Sequence, residues 1–187
     1  KAALSALYEV HRQEYQGVPA GKQRLRYTTN HDLASEHSPL QTYKNERGAM
    51  AAFVLATMLD GVPLIYSSQE IGYPQPLSFF GYQLMDWNSN PACLNEYKQL
   101  MKIYKASATL RGGALKTYET SKVASLYHTA GEKGLFVMVN TTNEPQTIKV
   151  PIERTGDKVK NLLNNEVTTL SAALTLEAYQ YFIWEKQ

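Results

Sequence analysis

The sequence changes character at Gly112-Gly113, and that break constrains the fold more than any other feature. Before it, apolar residues recur at helical intervals between long polar loops. After it, they fall in short alternating runs at 115–118, 123–128, 135–140, 147–152, 159–163, 167–170, 174–176 and 179–185. Gly131, Gly134, Pro145, Gly156, Asn164 and Asn165 punctuate those runs as turn residues do. The pattern predicts an α/β portion over 1–111 and a small antiparallel β-sandwich over 112–187. At 187 residues and 43% hydrophobic the chain can bury a sizeable core. The alternating half is expected to fold as an independent unit from about Gly113.

In the first half, Leu4, Leu7, Tyr8, His11 and Tyr15 mark a helix over 1–15 that stops at Gly17 and Pro19. A strand is expected over 24–29, running straight into Asn30-His31-Asp32. A helix over 45–59 follows, apolar nearly all round and so buried on several sides. Val62-Pro63-Leu64-Ile65-Tyr66 reads as a strand covered on both faces, ending in Ser67-Ser68-Gln69-Glu70. Tyr27 and Leu64 lie 37 positions apart with a helix between them, which suits a βαβ unit of parallel strands. A long loop over 71–91 leads to a helix over 93–110, with Leu94, Tyr97, Met101, Tyr104 and Ala108 on one face.

Charge excludes one class of partner. With 19 Lys+Arg against 17 Asp+Glu and no dense basic run, the chain lacks the electrostatic footprint of a nucleic-acid binder. No apolar run approaches the roughly 20 residues that span a bilayer, since Asp60, Gly61 and Pro63 interrupt the longest, 49–66. The single Cys93 excludes an intrachain disulfide and reads as a small helix-start residue. The chain opens on Lys1 rather than Met and without a signal-peptide pattern, so it is expected to be a piece of something longer. Its localisation stays open.

Two strands that each end in polar residues are a local picture of successive βα units, whose strand ends carry chemistry in (β/α)₈ barrels. Taken alone, Asn30-His31-Asp32 is more often turn and capping chemistry. The wider strings narrow the choice. Tyr27-Thr28-Thr29-Asn30-His31-Asp32 resembles the signature at the end of the seventh barrel strand of the α-amylase family, glycoside hydrolase family 13. Gly61-Val62-Pro63-Leu64-Ile65-Tyr66, followed by Gln69-Glu70-Ile71-Gly72, is similar to that family's eighth-strand string. The resemblance implies the last βα units of a (β/α)₈ barrel, from about its sixth to its eighth helix, and then a C-terminal β-sandwich.

It also implies roles. Asp32 matches the carboxylate that stabilises the transition state by gripping sugar hydroxyls, and His31 matches a histidine donating to the same sugar. Asn30 is expected to hold the turn more than to touch sugar. Trp87, with Phe79, Phe80 and Tyr82, could stack on glucose rings or simply pack the loop, as Asp86-Trp87 could lock it. Glu70 reads as a structural group at the barrel rim, Arg47 as a bracing charge, and Glu36 and His37 as solvated loop residues. Tyr179 and Tyr181 should share one face of the last strand and Phe182 and Trp184 the other, in core packing rather than a starch-binding patch.

The family's nucleophile and acid/base lie in its fourth and fifth strands, which match nothing here; neither Asp60, Glu36 nor Glu46 fits a catalytic motif. The resemblance therefore implies a retaining glycosidase acting on starch-like α-glucans or maltooligosaccharides, of which this piece is inactive alone. A transglycosylase of the same fold and a noncatalytic carbohydrate-binding module are the alternatives. No cofactor is implied for this stretch, and calcium, if any, belongs to the upstream part of the parent. Two strands cut from a barrel would leave open edges and uncovered faces of Leu64, Tyr66, Met50, Phe53 and Val54, inviting self-association.

Overall fold

The computed structural model describes residues 3–187. Helix α1, Leu4–Tyr15, buries Leu4, Tyr8 and His11 and stops before Gly17, whose φ of +79° lies in the left-handed region. Residues 1 and 2 of the helix expected over 1–15 lie outside the described residues. Strand β1, Arg24–Arg26, is followed by a 3₁₀ turn at Leu33–Ser35, the one-turn helix α2, Pro39–Thr42, and helix α3, Glu46–Met58. Helix α2 falls between the strand expected over 24–29 and the helix expected over 45–59, and Ser38 and Gln41 form a reciprocal capping box around it. Asn45 caps α3 by accepting from the Gly48 N–H at 2.8 Å.

Strand β2, Gly61–Pro63, pairs in parallel with β1, Leu25 opposite Val62, so the expected strand–helix–strand unit is present. Both strands are shorter than expected. Pro63 has no N–H to extend the ladder, and one further bond, Leu64 N–H to the Arg26 carbonyl at 2.8 Å, closes it. The turn into β2 is made by Asp60, at φ +53°, rather than by Gly61. Gly61 is needed for a different reason: a Cβ there would meet Arg26 Cγ at 2.2 Å.

The pair is covered on one face only. Arg26 turns toward α1 and meets Glu14 at 2.6 Å, while Leu25 and Val62 point the other way and stay 53% and 41% exposed. The expectation of two covered faces is therefore corrected. Met50, Phe53 and Val54, expected to lack neighbours, are fully buried, with the Phe53 and Tyr97 rings 4.7 Å apart. Their cover comes from helix α4, Pro91–Ala106, and from the strands that follow the short helix α5, Ala108–Gly112. Helix α4 buries Cys93, Tyr97, Leu100, Ile103 and Tyr104, a stripe rotated by about one residue from the expected one. Among the described residues no helix is long and apolar enough to cross a membrane.

All eight expected strands form: β3 Ala114–Tyr118, β4 Val123–Ala130, β5 Lys133–Asn140, β6 Gln146–Lys149, β7 Lys158–Asn161, β8 Val167–Thr169, β9 Ala173–Leu176 and β10 Tyr181–Lys186. Six make one antiparallel sheet in the order β3-β4-β5-β10-β7-β8, and β6 pairs with β9 separately. Alternation assigns the faces. Phe136, Met138 and Trp184 pack with Leu176, Ile148 and Leu174 of the two-stranded sheet. Leu126, Leu135, Val137, Val139, Tyr181 and Ile183 point the opposite way, into one cluster with α1, α3 and α4. Tyr179 and Tyr181 fall on the helix side and Phe182 and Trp184 on the other, as the alternation predicts. The core thus runs across Gly112-Gly113, so the packing does not support an alternating half that is independent.

Polar latches cross the same junction. Tyr8 Oη accepts from the Ser125 N–H at 3.2 Å, and Arg47 meets both Glu96 oxygens at 2.8 Å while Tyr181 Oη donates to Glu96 at 2.5 Å. Arg47 is a brace, as expected. His128, fully buried on β4, donates from Nε2 to the Met58 carbonyl at 2.7 Å, and its Nδ1 has no partner among the described residues. Burial holds His128 below the usual histidine range, and burial and Arg26 do the same to His11. A histidine whose folded pKa is depressed leaves stability intact above its unfolded value near 6.5. Below that pH the unfolded chain takes up a proton the fold refuses, at about 1 kcal/mol per pH unit for each such group. Melting temperature is therefore expected to fall by several degrees between pH 7 and pH 5.5, and His128→Gln should flatten the fall. A melting temperature unchanged over that range would rule this out.

Candidate functional site

The C-terminal ends of β1 and β2 are brought together by one buried amide. Gln69 Nε2 donates to Thr28 Oγ1 at 2.9 Å and to Tyr97 Oη at 3.0 Å, and Gln69 Oε1 accepts from the Tyr66 N–H at 3.3 Å. These groups tie both strand ends to α4 in a shielded setting, where satisfied polar networks hold geometry firmly. Nothing local in the sequence marks them as partners, since they lie 41 and 28 positions apart.

On that base stands the turn carrying Asn30, His31 and Asp32. Asn30 Oδ1 accepts from the N–H groups of Asp32 at 3.0 Å and Leu33 at 2.9 Å, the Asx geometry that starts the 3₁₀ turn. Asn30 thus shapes the turn. Asp32 immediately precedes that turn as its N-cap residue, and Ala34 is buried within it. The His31 and Asp32 side chains project outward, 73% and 76% exposed, with Nε2 and Oδ1 3.3 Å apart. A carboxylate that accepts and an imidazole that donates, side by side and open to solvent, suit recognition of neighbouring hydroxyls.

The long loop after β2 is moored to this turn at its near end. The Leu77 N–H donates to the Ala34 carbonyl at 2.7 Å and Ser38 Oγ to the Pro74 carbonyl at 2.9 Å. Its far end carries Phe79, Phe80, Tyr82 and Trp87; Phe80 and Tyr82 stand free in solvent, while Phe79 and Trp87 are about half covered. No hydrogen bond joins Trp87 to the Asp32 turn among the described residues. Asp86 makes a local turn, accepting from the Asn88 N–H at 2.9 Å.

The other candidates separate from the turn. Glu36 and His37 are exposed loop residues just beyond Asp32. Glu70 is half-buried, with Oε2 shielded and without a partner among the described residues. Cys93 is buried, and burial raises its thiol to about 12, so it has no thiolate character near neutrality. Among the described residues no three His, Cys, Asp or Glu side chains converge as a metal site would require.

No family model matches the chain. Among curated proteins it is similar to neopullulanase 2 of Thermoactinomyces vulgaris, 29% identical over 166 residues, which is 81% of this chain and 28% of the relative. Among solved structures it is similar to an α-amylase from Geobacillus thermoleovorans complexed with acarbose. That match has a TM-score of 0.80 at 18% identity and covers all of this chain and 44% of the amylase. The trehalulose synthase of Pseudomonas mesoacidophila matches with a TM-score of 0.75 at 13% identity, over all of this chain and 47% of the synthase. The chain therefore spans less than half the length of each of these proteins. In sequence and in fold it is similar to the enzymes of the α-amylase family, glycoside hydrolase family 13.

Proposed function

We propose that the chain is the C-terminal part of an α-amylase-like glycoside hydrolase that cleaves α-glucosidic bonds of starch-like glucans with retention. Residues 1–111 are read as the last βα units of a (β/α)₈ barrel and 112–187 as the C-terminal sandwich domain. The observation that carries this reading is the parallel β1–β2 pair with Asp32 and His31 presented together at its C-terminal end, where a barrel enzyme keeps its chemistry. The likeness to neopullulanase 2 supports it from sequence, and the amylase fold match supports it from shape.

In this reading Asp32 accepts hydrogen bonds from two adjacent sugar hydroxyls, His31 donates to the same sugar, and Trp87 offers an aromatic face at the cleft. The bonds to Asp32 count most if they tighten as positive charge develops on the ring. The bond-breaking carboxylate pair, about 5 to 5.5 Å apart in a retaining enzyme, is assigned to upstream strands. Calcium, if the parent uses it, is placed upstream as well. A transglycosylase of the same fold remains the second reading, favoured by the likeness to trehalulose synthase, since water access and acceptor subsites decide between the two outcomes.

Asp32→Asn in the longer enzyme should lower kcat by about 10² to 10³-fold, the scale seen when one transition-state hydrogen-bonding group is lost. Its KM should move much less, and melting should be preserved because the side chain is exposed and nearly isosteric. An unchanged kcat in a folded Asn variant would remove Asp32 from the site. The uncovered Leu25–Val62 face is read as the seat of the preceding barrel strands. In the 187-residue chain by itself, a second copy is expected to cover it.

A further inference from the structure

Helix α4 carries two stripes, and the core uses one of them. Cys93, Tyr97, Leu100 and Tyr104 go inward, whereas Leu94, Lys98, Met101 and Lys105, each three or four residues from the next, form a second row along the helix. With Ile65, just past β2, and Glu70, in the turn that follows, this row lines a groove of about 650 Å³. Ile65, Leu94 and Met101 are each half-buried and make it apolar. No residue of the Asn30–Asp32 turn lines it, and among the described residues β2 has β1 as its one strand neighbour.

The charges of the lining are unanswered in both signs. Lys98, Lys102 and Lys105 are exposed, and none meets a carboxylate among the described residues. Glu70 is half-buried, and its Oε2 is shielded from water with no donor among the described residues. A shielded carboxylate oxygen without a donor costs more than a neutral group would, so whatever fills the groove is selected to supply a donor there. Along the lysine row it is selected to supply acceptors.

We infer that this groove seats an amphipathic helix from the upstream part of the longer enzyme, which fills the space between Ile65, Leu94 and Met101 with apolar side chains, donates to Glu70 and sets acidic residues along Lys98, Lys102 and Lys105. A polyanion or an anionic lipid surface would satisfy the lysines but press negative charge on Glu70. A second copy would bring the same excess of lysine to the contact. A protein segment of mixed charge answers both. A ring of strand–helix units that closes on itself brings its first unit beside its last, so a helix running along α4 is the form such a segment takes. That the segment lies upstream in the same enzyme rests on the proposed function; its charge pattern rests on the groove.

The test compares the 187-residue chain with the longer enzyme. Acetylation of Lys98, Lys102 and Lys105, followed by mass spectrometry, should be severalfold slower in the longer enzyme, with exposed Lys133 on the β4–β5 hairpin as reference. Carbodiimide coupling of the longer enzyme should join at least one of the three lysines to an Asp or Glu upstream of residue 1. Glu70→Gln should lower the melting temperature of the longer enzyme by several degrees and leave that of the 187-residue chain no lower, since there the shielded oxygen has no partner to lose. Equal lysine reactivity in the two proteins, or an equal effect of Glu70→Gln in both, would overturn the inference. Protection that grows with protein concentration would overturn it in favour of a second copy, and protection that appears only with phosphatidylglycerol vesicles in favour of a lipid surface. The Asp32→Asn kinetics of the longer enzyme judge the proposed function separately, so an open groove in an enzyme that depends on Asp32 sinks this inference alone.

Discussion

Purified by itself, the 187-residue chain should hydrolyse 4-nitrophenyl α-maltoside no faster than buffer. General acid/base catalysis alone contributes about 10² to 10⁴-fold, and loss of the nucleophile removes the covalent route as well. Four carboxylates of the first half are committed elsewhere. Glu14 pairs with Arg26, Glu46 accepts from Asn90, Glu96 is held by Arg47 and Tyr181, and Asp60 accepts from Gln23 before the start of β2, away from the strand end that carries Asp32. Turnover by the pure chain that disappears in Asp32→Ala would mean the catalytic set has been misassigned. The same preparation should sediment as a concentration-dependent mixture of monomer and oligomer, because Leu25, Tyr27 and Val62 leave an apolar strip exposed. A clean monomer across a wide concentration range would show that the strip is tolerated in water.

Where a local rule governs, the sequence and the structure agree. The helix over 45–59 is legible because Asn45 caps it and small and apolar residues surround it. The eight strands are legible because turn residues bracket each run. Period-two alternation correctly separates Tyr179 and Tyr181 from Phe182 and Trp184. Agreement fails where the deciding partner is remote. Apolar residues at 93, 94, 97, 100, 101, 103 and 104 wrap so much of α4 that periodicity alone cannot choose its buried stripe. Packing chooses it: Cys93, Tyr97, Leu100 and Tyr104 go inward, while Leu94 and Met101 line a groove with Ile65 and Glu70.

The candidate site follows the same division. The Asx turn of Asn30 is a local motif and could be anticipated from three adjacent residues. The Thr28–Gln69–Tyr97 link that seats the turn joins β1, the end of β2 and α4, and has no local signature. The open Leu25–Val62 face was misjudged for a related reason. A run such as Val62 to Tyr66 looks the same whether its second face is covered by this chain or by residues outside it.

The largest effect on stability is expected from cutting at the change of sequence character. Residues 113–187 made alone should lack a cooperative thermal transition, although every strand of both sheets is present. Along β5 the apolar residues are continuous, with Phe136 and Met138 facing the two-stranded sheet and Leu135, Val137 and Val139 facing the helices. With Leu126 on β4 and Ile183 on β10, five large aliphatic side chains lose their cover when 1–112 are removed. At about 1.5 to 3 kcal/mol for each side chain returned to water, the loss is on the order of 10 kcal/mol, comparable to the whole stability of a typical domain. The Tyr8–Ser125, Met58–His128 and Glu96–Tyr181 hydrogen bonds go with it. Polar replacements on that face, such as Leu126→Thr with Val137→Thr, should make the short piece more soluble and the 187-residue chain less stable. Those opposite signs distinguish a lost interface from a sandwich that is simply weak. A sharp, concentration-independent unfolding transition of monomeric 113–187 would place the shared core outside the terms that hold the sandwich together.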